Sequence, residues 1–253
     1  MKYLYNQIIK YAVLSGDRIC KKSGNVKDIG VTKKYLTLED FRIERGLKKI
    51  IKNYDRSHFF CAEEENDHFK NAKNVWVVDP ISGTRAFIKG THHYGISVAH
   101  LIDGKIVFAV VYDPSVRELF TAYLGRGAYL NNKLIKISKN KENLRILYYY
   151  SSSWNGNISC RKTFNKLSKY KFLYRNANSV AVNYCHVACG RYDGILSLTK
   201  DSFPEMAGSL IIREAGGRFI NRRRNTNIQF DDRVFMGGNK FAVSKLERII
   251  KNK

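Results

Sequence analysis

The 253-residue chain predicts a layered fold of helix on sheet, α+β in its first half and α/β in its second. Three observations carry this. Two amphipathic stretches open the chain, a meander of β-rich runs punctuated by turn pairs follows, and beyond about residue 140 helical and strand patterns alternate. No internal repeat and no flexible linker interrupts them. The expected organisation is an N-terminal α+β unit over 1–140, with an antiparallel sheet, and a C-terminal α/β unit over 141–253.

Leu4, Ile8 and Tyr11 recur at helical spacing, predicting a helix over about Tyr3 to Lys21. A second begins near Asp40, with Phe41, Ile43, Leu47, Ile50 and Ile51 as its apolar stripe. Thr37 is its N-cap, with Asp40 at the third position of the first turn. The segment between them, "KSGNVKDIGVTKKYL", reads as an exposed basic loop or hairpin. "GISVAHLIDGKIVFAVVYD" is a hairpin on the Asp103-Gly104 turn, extended through turns at Asp113-Pro114, Gly125 and Asn131-Asn132. Then come the strand "LRILYYYSSS", the helix "CRKTFNKLSKY", and the helix "SVAVNYCHVACG" ending at Gly190. The strand "DGILSL" follows, then the helix "FPEMAGSLIIREAGG" stopped by Gly216-Gly217, a strand from Arg218 and a closing helix "KFAVSKLERIIKN".

Composition narrows the classes. Hydrophobic residues at 44% fit a globular protein, and no apolar run is long enough for a membrane helix. Asn6, Gln7 and Lys10 interrupt any signal-peptide core, so a cytoplasmic location is expected. The five cysteines lack metal-finger spacing and read as core thiols. The net charge of +23 is extreme; from Lys133 to Arg175, 11 basic residues meet one acid, Glu142. Such a field attracts polyanions: phosphorylated metabolites, RNA or acidic proteins. No nucleic-acid motif accompanies it, and Lys, Tyr and Phe are abundant beside 3 prolines. A diffuse basic surface from compositional drift is the favoured reading.

Four pieces belong together chemically. "TLED" supplies Thr37 and Asp40; "CAEEEND" supplies Glu63, Glu64 and Glu65; "WVVDPISGT" supplies Asp79, Ser82, Gly83 and Thr84; "FPEMAGSLIIREAGG" opens a helix. Glu64, Glu65 and Asp67 read as solvated carboxylates. Asp79 differs, because it ends a buried strand (Val75 to Val78), where ligand sites gather in α/β sheets. The following Gly-Thr offers backbone N–H groups at a helix start, a cradle for phosphate. Hard oxygen ligands beside such a cradle suggest Mg²⁺.

These pieces, in this order, resemble the inositol monophosphatase family, which includes SuhB proteins and the CysQ nucleotidase. The matching segments are Thr37, Asp40 and Glu44; Ala62-Glu63-Glu64; Asp79-Pro80-Ile81-Ser82-Gly83-Thr84; and Phe203 to Gly208 through Glu214-Ala215-Gly216-Gly217. "CHVACGRYDG" has the look of a late family helix. The resemblance runs nearly end to end and implies a sandwich of alternating α-β-α-β-α layers. It implies Mg²⁺-dependent hydrolysis of small phosphate monoesters by a metal-bound water. Glu63, Asp79 and the Ile81 carbonyl would hold a first metal, Asp40 and Thr84 would orient the water, and Gly83 and Thr84 would hold the phosphate.

The family's second metal takes two further aspartates, and here those positions are Ser82 and Pro204. Glu214 keeps the family's separation of 10 from Pro204. One Mg²⁺ site is therefore expected to survive and the second to be lost, because a serine hydroxyl is a poor Mg²⁺ ligand and proline offers none. Asp201 lies three residues early for the gap, and Glu205 would point about 100° away on the helix. Three readings follow: a phosphatase impaired at its second metal; a pseudoenzyme kept as a regulatory protein- or RNA-binding protein; or a 3'(2'),5'-bisphosphate nucleotidase whose basic rim welcomes a second phosphate. Family resemblance also implies a homodimer.

Overall fold

The computed structural model describes residues 1–31, 35–64, 72–151, 154, 158–169, 173–175, 178–226 and 228–251. Glu65, Asp67, Tyr170, Lys171 and residues 32–34 of the basic loop lie outside the described residues. The elements are α1 (Lys2–Cys20), α2 (Leu38–Tyr54), β1 (Phe59–Ala62), β2 (Asn74–Ser82), α3 (Thr84–Lys89), β3 (Gly95–Ile102), β4 (Lys105–Asp113), β5 (Glu118–Tyr123), β6 (Gly127–Leu130) and β7 (Lys133–Leu134). The second half adds β8 (Arg145–Tyr150), α4 (Cys160–Lys169), β9 (Leu173–Arg175), α5 (Val180–Ala188), β10 (Gly194–Leu198), α6 (Phe203–Glu214), β11 (Arg218–Asn221), β12 (Val234–Gly238) and α7 (Lys240–Lys251).

Three apolar clusters stack these elements into five layers, in the order α1/α2, first sheet, α5/α6, second sheet, α4/α7. Strand β2 shows how the sequence makes a middle layer. Trp76 and Val78 face α1 and α2, while Val75 and Val77 face α5 and α6, so a run of apolar residues serves two cores at period two. Helices α5 and α6 touch closely because Gly208 has no side chain: a Cβ there would lie 2.2 Å from the Tyr184 ring.

The first sheet has the order β1-β2-β3-β4-β5-β6-β7 and the second β11-β12-β10-β8-β9. The first is antiparallel from β2 onward, as the hairpin signals require, but β1 joins β2 in parallel. In the second sheet β9, β8 and β10 are parallel, and β11 and β12 run antiparallel. Both sheets therefore direct the carboxyl ends of parallel strands toward connecting loops, where ligand sites form. No helix among the described residues is long and apolar enough to cross a membrane.

Candidate functional site

Parallel pairing of β1 with β2 sets Ala62 opposite Val78, and the Glu63 amide extends the ladder to the Val78 carbonyl at 3.1 Å. Glu63 and Asp79 thus leave neighbouring strand ends on the same side. Asp79 is buried opposite Ser97, and an irregularity between Asp79 and Ser82 turns the chain toward Gly83. Gly83 adopts φ 88°, and a Cβ there would approach the His93 carbonyl at 3.0 Å, so glycine is required on both counts. Helix α3 starts at Thr84, whose hydroxyl donates to the Ile81 carbonyl at 2.8 Å.

Helix α2 delivers Asp40 to the same region through the expected capping box. The Thr37 hydroxyl accepts the Glu39 amide, and Asp40 Oδ2 accepts the Thr37 amide at 2.8 Å and hydroxyl at 2.6 Å. Asp40 is wholly buried, and its Oδ1 has no hydrogen-bond donor among the described residues. Burial, and then the charges of Glu64 and Glu63, hold its carboxyl up near about 7 despite the Thr37 bonds. Glu44, one turn on, accepts the Glu64 amide at 2.9 Å and ties the loop after β1 to α2.

The second sheet supplies the other wall. Strands β8 and β10 run parallel with Tyr149 opposite Ser197, so Tyr149 and the loop after β10 emerge together. Lys200 in that loop reaches back to the first sheet, its Nζ 2.8 Å from Glu63 Oε1 and 3.7 Å from Asp201 Oδ2. Burial raises the Tyr149 phenol far above its usual range, and the charges of Glu205, Asp201, Asp79 and Glu63 push it further. Those four carboxylates therefore share one neighbourhood. Glu205 is wholly buried beneath it: Oε1 accepts from the Tyr184 hydroxyl at 2.9 Å, Oε2 has no hydrogen-bond donor among the described residues, and burial keeps the carboxyl well above its ordinary value.

Ser82 and Pro204 are both buried. The Ser82 hydroxyl accepts from the Ala181 amide at 3.4 Å, which joins the end of β2 to the start of α5. Pro204 occupies the first turn of α6, where a missing N–H costs nothing. Asp201 is drawn into capping that turn, accepting the Phe203 amide at 3.3 Å. Two of the carboxylates expected for a pair of divalent ions are replaced among these residues. No carboxylate stands at either position expected for the second ion, and of the donors expected for a first, Glu63 is held by Lys200 and the Ile81 carbonyl by Thr84. Among the described residues, no three His, Cys, Asp or Glu side chains are grouped to hold an ion.

Two motif pieces prove to be scaffold. Glu214 of "EAGG" accepts the Gly125 and Gly127 amides at 2.9 and 2.8 Å, clamping the β5–β6 turn against α6. Asp193 of "RYDG" accepts the Arg145 amide at 2.7 Å and also receives Ser138 and Asn140. Sequence reasoning missed Lys200 and Tyr149, since neither carries a local signal; only the approach of the two sheets gives them a role. It also missed β1, although "FFCA" before an acid repeats the signal of "WVVD".

With this geometry in hand, the family follows: the inositol monophosphatase family model matches residues 6–252, and the chain belongs to that family. It is 32% identical over 229 residues to a Nus factor SuhB of Vibrio cholerae, covering 85% of this chain and 84% of that protein. An inositol-1-monophosphatase of Rhizobium meliloti is 28% identical over 226 residues, with 85% and 84% covered. The crystal structure of the extragenic suppressor protein SuhB from Bartonella henselae superposes with a TM-score of 0.88 at 25% identity, covering 99% of each chain.

Proposed function

We propose that this chain works as a partner-binding member of the family, a Nus factor-like protein on a phosphatase fold whose catalytic metal pair has been given up. The observation that carries this is at the two positions of the second ion: Ser82 spends its hydroxyl on the Ala181 amide, and Pro204 has turned its position into a helix start. Neither residue supplies the negative charge that stabilises a divalent ion at a leaving oxygen. Relatives named Nus factor SuhB make regulation of transcription the natural role for what remains. The +23 charge supplies long-range attraction to an assembly containing nucleic acid.

A second reading is kept by one observation. The turn that holds Gly83 and Thr84, and the Thr37–Asp40 box, are intact. They support feeble hydrolysis of small phosphate monoesters, inositol phosphates or bisphosphate nucleotides. The experiment that separates the readings is binding of wild-type and Asp79→Asn protein to purified transcription elongation complexes. Saturable binding by both proteins supports the regulatory role. No binding by the wild type, with its fold intact by circular dichroism, contradicts it.

A further inference from the structure

We infer that Lys200 is the site's own cation: its ammonium pairs with Glu63 and Asp201, so a divalent metal can bind Glu63 only by displacing it. The inference rests on the reading of the site as one that has abandoned its metal pair.

Glu63 comes from the first sheet and Asp201 from the loop after β10, and the fold brings these two carboxylates to one ammonium. Asp79 leaves the neighbouring strand end, next to Val78, whose carbonyl takes the Glu63 amide. Carboxylates so gathered repel one another unless a positive charge lies among them. Lys200 supplies it across 137 residues of sequence, at a distance of 2.8 Å that suits a charge-assisted hydrogen bond. A lysine fills this part because its charge is a compact point on a flexible stem. Mg²⁺ demands near-octahedral oxygen ligands at about 2.1 Å, so it could take Glu63 only with the ammonium gone.

The Lys200 side chain is 40% exposed while that of Glu63 is 14% exposed, so the lysine lies outside the packed core. Replacing the lysine therefore removes a charge without opening a hole. This makes Lys200→Met the informative variant and Lys200→Arg its charge-retaining control.

The test is calorimetric titration of the full chain with Mn²⁺, paired with thermal melts in EDTA and in Mn²⁺. Wild type and Lys200→Arg are expected to show no saturable heat and no metal-dependent shift in Tm. Lys200→Met is expected to bind Mn²⁺ at least ten-fold more tightly than wild type and to melt lower in EDTA, with Mn²⁺ restoring the loss. Identical titrations for wild type and Lys200→Met overturn the proposal. Should Lys200→Met fail to fold, Glu63→Gln decides: a lowered Tm indifferent to Mn²⁺ supports the pair, and an unchanged Tm refutes it. Mg²⁺-dependent phosphate release by the wild type would instead overturn the functional reading, while the comparison of titrations still judges Lys200.

Discussion

Thr37 donates twice to a single carboxylate oxygen of Asp40, through its amide at 2.8 Å and its hydroxyl at 2.6 Å. Such bonds ordinarily favour the charged carboxylate, yet burial wins and holds Asp40 near about 7 against a reference of 3.8. The folded chain therefore binds this proton more tightly than the unfolded one. Stability from this group is fully present below about pH 4 and is lost as pH rises to about 7, by up to about 1.4 kcal/mol per pH unit. Asp40→Asn, which keeps an acceptor for Thr37, should flatten that decline. Urea midpoints from pH 4 to 8 check it; parallel curves for the two proteins would contradict the account.

Glu205 makes a complementary case. Burial pushes its carboxyl well above the ordinary range and Oε1 accepts from Tyr184, so Glu205→Gln, which keeps that acceptor, should change stability at pH 7 by no more than about 0.5 kcal/mol. Glu205→Ala removes that acceptor and opens space between α5 and α6, and should cost about 2–4 kcal/mol. Denaturant unfolding of both variants decides; equal losses would contradict this role for the acceptor.

Repair of the second metal position is expected to be cooperative. Ser82→Asp alone buries a carboxylate near the Ala181 amide, and Pro204→Asp alone buries one in the first turn of α6. The two together, in a Lys200→Met background, should bind Mn²⁺ far more tightly than the product of the single effects, because both ligands serve one ion. Independent, equal gains in calorimetry would show that they do not share it.

The layers and most elements were legible in the sequence because each has a local cause. Thr37 and Asp40 mark the start of α2 by cap chemistry, and Asp103-Gly104 marks the β3–β4 hairpin by turn chemistry. The acid-bearing ends of β1 and β2 were half legible: Asp79 follows an obvious strand, whereas β1 is four residues long and shows itself only by pairing in parallel. Strand β9 was missed for the same reason, being three residues paired in parallel with β8, and the antiparallel β12 was missed as well. Lys200 was not legible at all. In a chain of 45 basic residues nothing local distinguishes it, and its partner Glu63 lies on the other sheet.

The basic surface is expected to act diffusely. Lys162 is exposed on α4, Lys166 reaches the Ile249 carbonyl, and Arg224 pairs with Glu247 at 3.3 Å, so the charges are spread over separate elements. Reversing Lys162, Lys166 and Lys169 should lower RNA affinity and the slope of log affinity against log salt no more than three reversals elsewhere. Filter binding across a salt series measures both. A loss concentrated in the α4 set would reveal a dedicated site.

A fold that no longer runs metal-pair chemistry should release no phosphate in Mg²⁺. Turnover of inositol monophosphate and of a bisphosphate nucleotide, followed over a Mg²⁺ series, measures this directly. Release is expected at the level of the buffer at every Mg²⁺ concentration, with Asp79→Asn indistinguishable from wild type. Saturable, Mg²⁺-dependent turnover by the wild type that disappears in Asp79→Asn would contradict it.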